Sequence, residues 1–538
     1  LISLLILAAL ATTARVLALV GLSVVSGWLL CYVTVKNRVA ENVFVSIVEV
    51  LESVPVISFF PIVLLIFVQK IGGPLGVELA ADFLVFTAVV WNIWMGIYQA
   101  YKTLPREMVE VVENYGYGIL GKLRKVYIPF SMPRVVANLF PSVADAFFYI
   151  TVSEVFSVGT TTYATFGIGT VVDSLLSSGQ YSQVELAILI IAILVAIITV
   201  SLRALSRYVV AKYALDTDIP IRRRGRTRLR YSVKLSVLTS TNPLVRIAKY
   251  SRNLGARVIP RAEISKKTTS RLYTYVGAGV SLAVLGYLIY GAASLVLSVP
   301  DPLWFRLFSV TPTILLDLAY DYLRVAIIAL LSFAIAVFLG YYLAANDKAD
   351  RFLVPVIQAL LAIPAPLYFP LLVGFSLPFL LHSLGWIAGE LYVLTLGFIS
   401  AFYYILFSFW IGVKSIPVEY WELSRNLRMG FWTKMRRMVL PSTFPYMVAG
   451  LSSTINSIWG GLTIAEYWPH IVDNYTLSVH HGLMAFLDLQ TSQGNIAYSA
   501  WGSFIFGIVV VIFSIFFTRR LLDLARKRYV MEEGIYAA

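Results

Sequence analysis

The sequence predicts an all-α polytopic membrane protein built from two tandem, parallel repeats, and three observations lead there. Only 13% of its 538 residues are charged and 59% are hydrophobic, where soluble domains carry about 25% charge. The apolar residues fall in runs of about 20, the length of a membrane-crossing helix, without the alternation of a barrel strand. A polar island, Leu104 to Pro133, returns as Ile416 to Pro445 at a constant offset of 312 residues. An internal repeat of this kind decides the architecture before any residue-level reading.

The two islands read LPREMVEVVENYGYGILGKLRKVYIPFSMP and IPVEYWELSRNLRMGFWTKMRRMVLPSTFP. Pro105 pairs with Pro417, Glu107 with Glu419, Glu110 with Glu422 and Asn114 with Asn426. Gly118 pairs with Gly430, Lys122 with Lys434, Arg124 with Arg436, Lys125 with Arg437, Pro129 with Pro441 and Pro133 with Pro445. Each island is expected to be amphipathic and helical, on the water side of a bilayer. Pro105 and Pro417 suit a helix N1 position. Acids follow early and basic residues late, matching the helix dipole, and Pro129 and Pro441 are expected to stop the helix. Two short helices joined by a glycine-permitted bend fit the pattern.

Taken in order, residues 1–12 are apolar but too short to span alone, so the first copy is read as lacking a leading helix. Arg15 to Val35 spans and repeats at an offset of 309, Arg15-Val16 matching Arg324-Val325 and Asn37 matching Asn346. The next segment repeats at the same offset: Val54-Pro55 to Phe60-Pro61 matches Ile363-Pro364 to Phe369-Pro370. Two prolines in one span should kink it and free carbonyls toward protein or a water-filled path. The change of offset from 309 to 312 places three extra residues in the second copy's outer connection. Further spans are expected over 83–101, 134–158 and 184–210. The second copy should supply 273–298, 324–344, 353–381, 388–413, 444–468 and 498–517. That makes about five spans in the first copy and six in the second. The expected divisions are 1–212, a basic linker 213–271, and 272–538.

Between Ala211 and Arg271 stand 16 Lys or Arg and three acids, so this stretch holds almost all of the net charge of +14. A nucleic-acid patch at Arg222 to Arg230 is conceivable. A cytoplasmic linker obeying the positive-inside rule, near anionic headgroups, is the better reading, so no nucleic-acid partner is expected. Both islands, the linker and Arg519 to Arg528 then fall on the cytoplasmic side. The single Cys31 excludes an internal disulfide, and the four histidines, His382, His470, His480 and His481, are too scattered to suggest a metal centre.

The first island resembles the EAA loop of ABC importer permeases: Glu-Ala-Ala, three residues, Gly, nine residues, Ile, one residue, Leu-Pro. Here it stands as Glu110-Val111-Val112, Gly116, Val126 and Ile128-Pro129. The second island gives Glu422-Leu423-Ser424, Met438 and Leu440-Pro441, with Arg428 in place of the glycine; Gly430, two residues on, is expected to make the bend instead. The resemblance implies two cytoplasmic ABC ATPase subunits gripping these coupling-helix loops, through Glu107, Glu110, Gly116, Gly118 and Pro129 in one copy. In the other copy the same positions are Glu419, Glu422, Arg428, Gly430 and Pro441. It further implies an extracytoplasmic solute-binding protein and multi-pass residence in the cell membrane. Parallel repeats put a pseudo-two-fold axis along the membrane normal. The order of kinked proline helix, island, Thr-x-x-Glu helix and Gly-x-Gly resembles the nitrate, sulfonate and taurine branch, which implies a small anion as solute.

The chain itself shows no catalytic constellation. Gly116 to Leu123 nearly spells a P-loop, but Leu123 stands where Ser or Thr should hold Mg²⁺ and the second copy lacks the pattern. ATP and Mg²⁺ therefore belong to the partner ATPase, and no cofactor is expected on this chain. Thr151 and Glu154 match Thr463 and Glu466 at 312. With Pro55, Pro61, Pro364 and Pro370 they are the candidates for the translocation path. An acid within a span is costly and so faces a partner or water; the alternative role is a paired acid at the outer helix end. Asp145 faces Ser457 across the repeat and is unshared, as are Glu49 and Glu52, expected near the cytoplasmic end. Phe166-Gly167-Ile168-Gly169 and Tyr467 to His470 are expected outside. Two other classes are a secondary transporter, which needs no acidic-then-basic islands, and a membrane enzyme, which needs a clustered polar site.

Overall fold

The computed structural model describes residues 2–53, 56–102, 104–158, 161–213, 300–472 and 475–518, with Arg520, Leu521 and Leu524. The expected basic linker, the expected span 273–298 and Pro55 lie outside the described residues. Leu1–Ala214 and Leu307–Ala538 form one compact unit; Leu215–Arg306 is another.

The first copy runs α1 (Ile2–Thr34), α2 (Arg38–Ser53), α3 (Gly73–Lys102), α4 (Arg106–Asn114), α5 (Ile128–Ser153), β1 (Val155–Val158), β2 (Thr161–Ala164), α6 (Ile168–Ser177) and α7 (Tyr181–Tyr213). The second runs α8 (Asp301–Ala345), α9 (Asp347–Leu361), α10 (Ala365–Leu384), α11 (Ile387–Lys414), α12 (Val418–Asn426), α13 (Leu440–Ala465), β3 (Tyr467–Val472), β4 (Tyr475–Ser478), α14 (Leu483–Ser492) and α15 (Ile496–Phe513). Eight helices among the described residues are long and apolar enough to cross a membrane. The protein is an all-α polytopic membrane protein with two small antiparallel hairpins, β1–β2 and β3–β4, that the sequence reading did not foresee.

Four expectations need correction. Residues 1–12 are not a stub: they continue without a break into α1, 33 residues long. Nothing between Leu1 and Val35 breaks a helix, and Leu5, Ala8 and Ala9 are fully buried. The second copy's span likewise begins well before residue 324, within the 45-residue α8. The expected span 353–381 is two helices, because Pro364 caps α10 in an extended conformation (ψ 115°) and ends the continuity after α9. The expected span 134–158 ends at Ser153, since Val155 turns into β1.

The proline reading of the islands also shifts. Pro105 and Pro417 sit one residue ahead of α4 and α12, extended at ψ 134° and 146°. Pro129 and Pro441 do not stop a helix; each lies in the first turn of a 26-residue helix. Before each, the chain widens into one π turn, Leu123–Tyr127 and Met435–Val439, with Ile128 N–H donating to Leu123 and Leu440 N–H to Met435. A proline ring cannot continue a regular α ladder, and the wider turn passes it.

The two copies share packing. α5 packs against α3 and α13 against α11. Phe148 of α5 belongs to the second copy's core with Trp459 and Leu462, while Ala362 and Leu367 belong to the first copy's core.

Candidate functional site

Three polar places stand out: the islands at one end of the copies, two buried arginine clusters toward the other, and a cavity between.

At the islands, Glu107, Glu110, Glu419 and Glu422 are all exposed on α4 and α12. Each short helix is followed by a left-handed residue. In the first copy it is Gly116 (φ 70°), where glycine costs nothing. In the second copy Arg428 itself adopts the bend (φ 47°). Gly430 does not make it: Gly118 (φ −68°) and Gly430 (φ −63°) are extended caps of the next helical turns, Ile119–Lys122 and Phe431–Lys434. The two loops thus have one geometry despite the sequence departure. Lys122 Nζ bonds Glu113 Oε1 at 2.5 Å and holds that carboxyl below its usual range. Arg425 stands at the matching position of the second island, so this clamp belongs to the first alone. Ile119, Leu120, Leu427, Phe431 and Trp432 expose apolar surface beside the acids.

Each arginine matched between copies gathers the ends of three helices. Arg15 of α1 makes a two-pronged bond to Glu78 of α3 (2.5 and 3.0 Å) and reaches Glu154 Oε1 at 3.1 Å. Glu154 also accepts from Thr12 (2.6 Å) and from Gly169 N–H (2.7 Å). Arg324 of α8 repeats the arrangement with Glu390 (2.8 and 2.7 Å) and Glu466 (3.2 Å), and adds Asp321 (2.8 Å). The glycines are required by this packing: a Cβ on Gly167 would sit 2.0 Å from Glu154 Oε1, and one on Gly482 2.4 Å from Glu466 Oε2. Glu154 and Glu466 are fully buried in these clusters rather than on the cavity. Thr151 and Thr463 bond back to their own helices, to Phe148 and Trp459 carbonyls.

The cavity, about 60 Å³, lies between the copies. Its lining includes Glu52, Trp91, Asn92, Asp145, Tyr404 and Asn456. Asp145 accepts hydrogen bonds from Tyr403 (3.3 Å) and from Tyr404 across the repeat. Glu52, expected near the cytoplasmic end, lines this cavity beside Val56. Pro364 lines a smaller neighbouring void with Tyr403, Pro370 is buried inside α10, and Pro61 lies in the single helical turn Phe60–Val63.

Sequence reasoning missed Glu78 and Glu390, although they match at 312, and Thr12 and Asp321, which match at 309. The available signal was an acid shared at the head of the third span. It also missed Tyr403 and Tyr404, whose counterparts are Trp91 and Asn92 and leave no repeat signature.

Residues 143 in length align at 29% identity with the nitrate import permease protein NrtB of Synechococcus elongatus and at 27% with that of Leptolyngbya laminosa, in each case over 27% of this chain and 48% of the relative. The chain spans about half the length of the curated relatives it matches. The family model "Binding-protein-dependent transport system inner membrane component" matches twice, over residues 20–214 and 336–530. With both copies covered, the chain belongs to the binding-protein-dependent transport system inner membrane component family.

Proposed function

We propose that this chain forms the transmembrane path of an ABC importer, with both permease copies in one polypeptide. An extracytoplasmic binding protein delivers solute, two cytoplasmic ATPases grip the islands, and their closure rocks one copy against the other. The chain binds no nucleotide itself. The observation that carries the reading is the pair of geometrically equivalent, exposed islands on two copies that enclose one cavity. Each island joins acids to apolar side chains, a surface suited to a protein partner. The ion-gradient alternative gives no reason for two such islands.

A small anion is the cargo that the nitrate-permease relatives support. The charge of the cavity favours a second reading of the cargo, developed below.

The test is reconstitution with a candidate ABC ATPase and a candidate solute-binding protein. Replacing Glu110 and Glu422 together by Ala is expected to leave the protein folded while ATP hydrolysis no longer drives uptake. Normal uptake by the double variant would overturn the docking assignment. Uphill uptake by the chain alone in vesicles would overturn the importer reading itself.

A further inference from the structure

Three features compete for explanation, and the cavity carries the most. The exposed apolar residues of the islands belong to the docking surface already described, and the arginine clusters are internally complete. The cavity is not.

Among the described residues, the acids of the two arginine clusters have a cationic partner from the chain, and the buried Asp317 faces His481. Glu154 has Arg15, and Glu466 and Asp321 have Arg324. That is the general rule for a carboxylate out of water. Asp145 has no ion-pair partner among the described residues. It is 8% exposed, and its recorded partners are two phenol hydroxyls, Tyr403 and Tyr404. No Lys, Arg or His stands among the described residues lining the cavity it borders. Glu52, which has a partner of its own, joins the same lining, and the walls add the rings of Trp91 and Tyr149. Asn92, Ser453 and Asn456 supply amide and hydroxyl groups. At about 60 Å³ the space exceeds severalfold what one water needs, which suits a small head group.

Once ionised, a carboxylate flanked by aromatic faces attracts a cation twice over, through charge and through the ring quadrupoles. It repels a bare anion. The asymmetry sharpens this: Ser457 stands where the second copy would hold its own aspartate, so one charge, not two, is presented from the paired helices α5 and α13.

We propose that this cavity is a solute subsite for a protonated amine, with Asp145 as its charge partner, positioned by Tyr403 and Tyr404. The proposal rests on the permease reading and names a cargo class different from the relatives' nitrate. A zwitterion carrying such an amine satisfies it; nitrate does not.

The experiment uses the full chain in lipid nanodiscs, with tryptophan fluorescence and thermal unfolding as readouts. Methylammonium, ethanolamine and choline chlorides are titrated against sodium nitrate at constant ionic strength. At least one amine is expected to saturate and raise the unfolding temperature, with nitrate giving only a linear salt response. Asp145→Asn should weaken amine binding by about 10- to 100-fold, the size of a charged hydrogen bond. Asp145→Glu should keep binding within about tenfold. If Asp145→Asn does not fold, Tyr404→Phe, which leaves the charge, should weaken amine binding several-fold. Saturable nitrate binding that survives Asp145→Asn, no response to any of the three amines, or equal amine binding by wild type and both the Asn and Phe variants would each overturn the proposal. ATPase capture by the islands is read separately on the same nanodiscs, so loss of one reading leaves the other standing.

Discussion

A single backbone angle decides how the second island relates to the first. Arg428 holds φ at 47°, in the region that glycine enters freely and other residues enter at about 1 kcal/mol or more. Arg428→Gly is therefore expected to stabilise the protein by about 1 kcal/mol, and Gly116→Ala to destabilise it by a similar amount. Comparing unfolding of the two variants under one set of conditions checks the pair; a loss of stability in Arg428→Gly would mean the arginine side chain makes up the cost. The buried arginines make a second residue-scale case. Arg324 faces three carboxylates, Asp321, Glu390 and Glu466, whereas Arg15 faces Glu78 and Glu154. Removing one partner of a buried pair costs about 3–5 kcal/mol, because the other charge stays buried. Arg324→Gln should thus destabilise more than Arg15→Gln, and Glu466→Gln should restore part of the loss in the Arg324→Gln background. Equal costs for the two arginine variants, or no rescue, would refute the charge-counting account.

At the scale of elements, the islands are built alike by different means. The π turns ahead of Pro129 and Pro441 let each island flow into a long helix instead of ending at its proline. This makes each island continuous with α5 or α13, the helices that carry Asp145 and Ser457. Leu120, 75% exposed, and Trp432, 69% exposed, stand at the tips of matching turns. Leu120→Asp combined with Trp432→Asp is expected to abolish capture of the partner ATPase in a pull-down, with little change in the unfolding temperature. Retained capture would place the grip elsewhere. Much of this level was legible in the sequence, because helix period, proline spacing and the 312 offset are local signals. The failures have physical causes. A proline at a helix start and one at a helix end look alike without the hydrogen-bond ladder around them. The hairpins β1–β2 and β3–β4 have strands of four to six residues, too short for alternation to declare itself beside long apolar runs. Arg15 and Arg324 were visible as repeat matches, but what they hold comes from three separate helices, a long-range fact that no window of sequence contains.

At the scale of the whole molecule, the two copies behave as one body. Phe148 fills the second copy's core, Ala362 and Leu367 fill the first's, and Asp145 bonds tyrosines across the repeat. Separate domains joined by a tether would each close their own core. A shared core predicts that the two copies hold together even without an unbroken chain between them. A chain cut once between residues 215 and 299, co-expressed as two fragments, should therefore still assemble in the membrane. An affinity tag on the 1–214 side is expected to recover the other fragment in about equal amount through detergent extraction. Leu367→Asp, which puts a charge into the first copy's core from the second, should break that recovery in the split protein but only weaken the intact chain. Loss of recovery on cutting alone would mean that the connection, and not the shared core, holds the halves together. For the importer proposed above, halves that rock against each other need an interface that survives motion, and a core shared through a few interdigitated side chains beside the cavity would supply one without locking it.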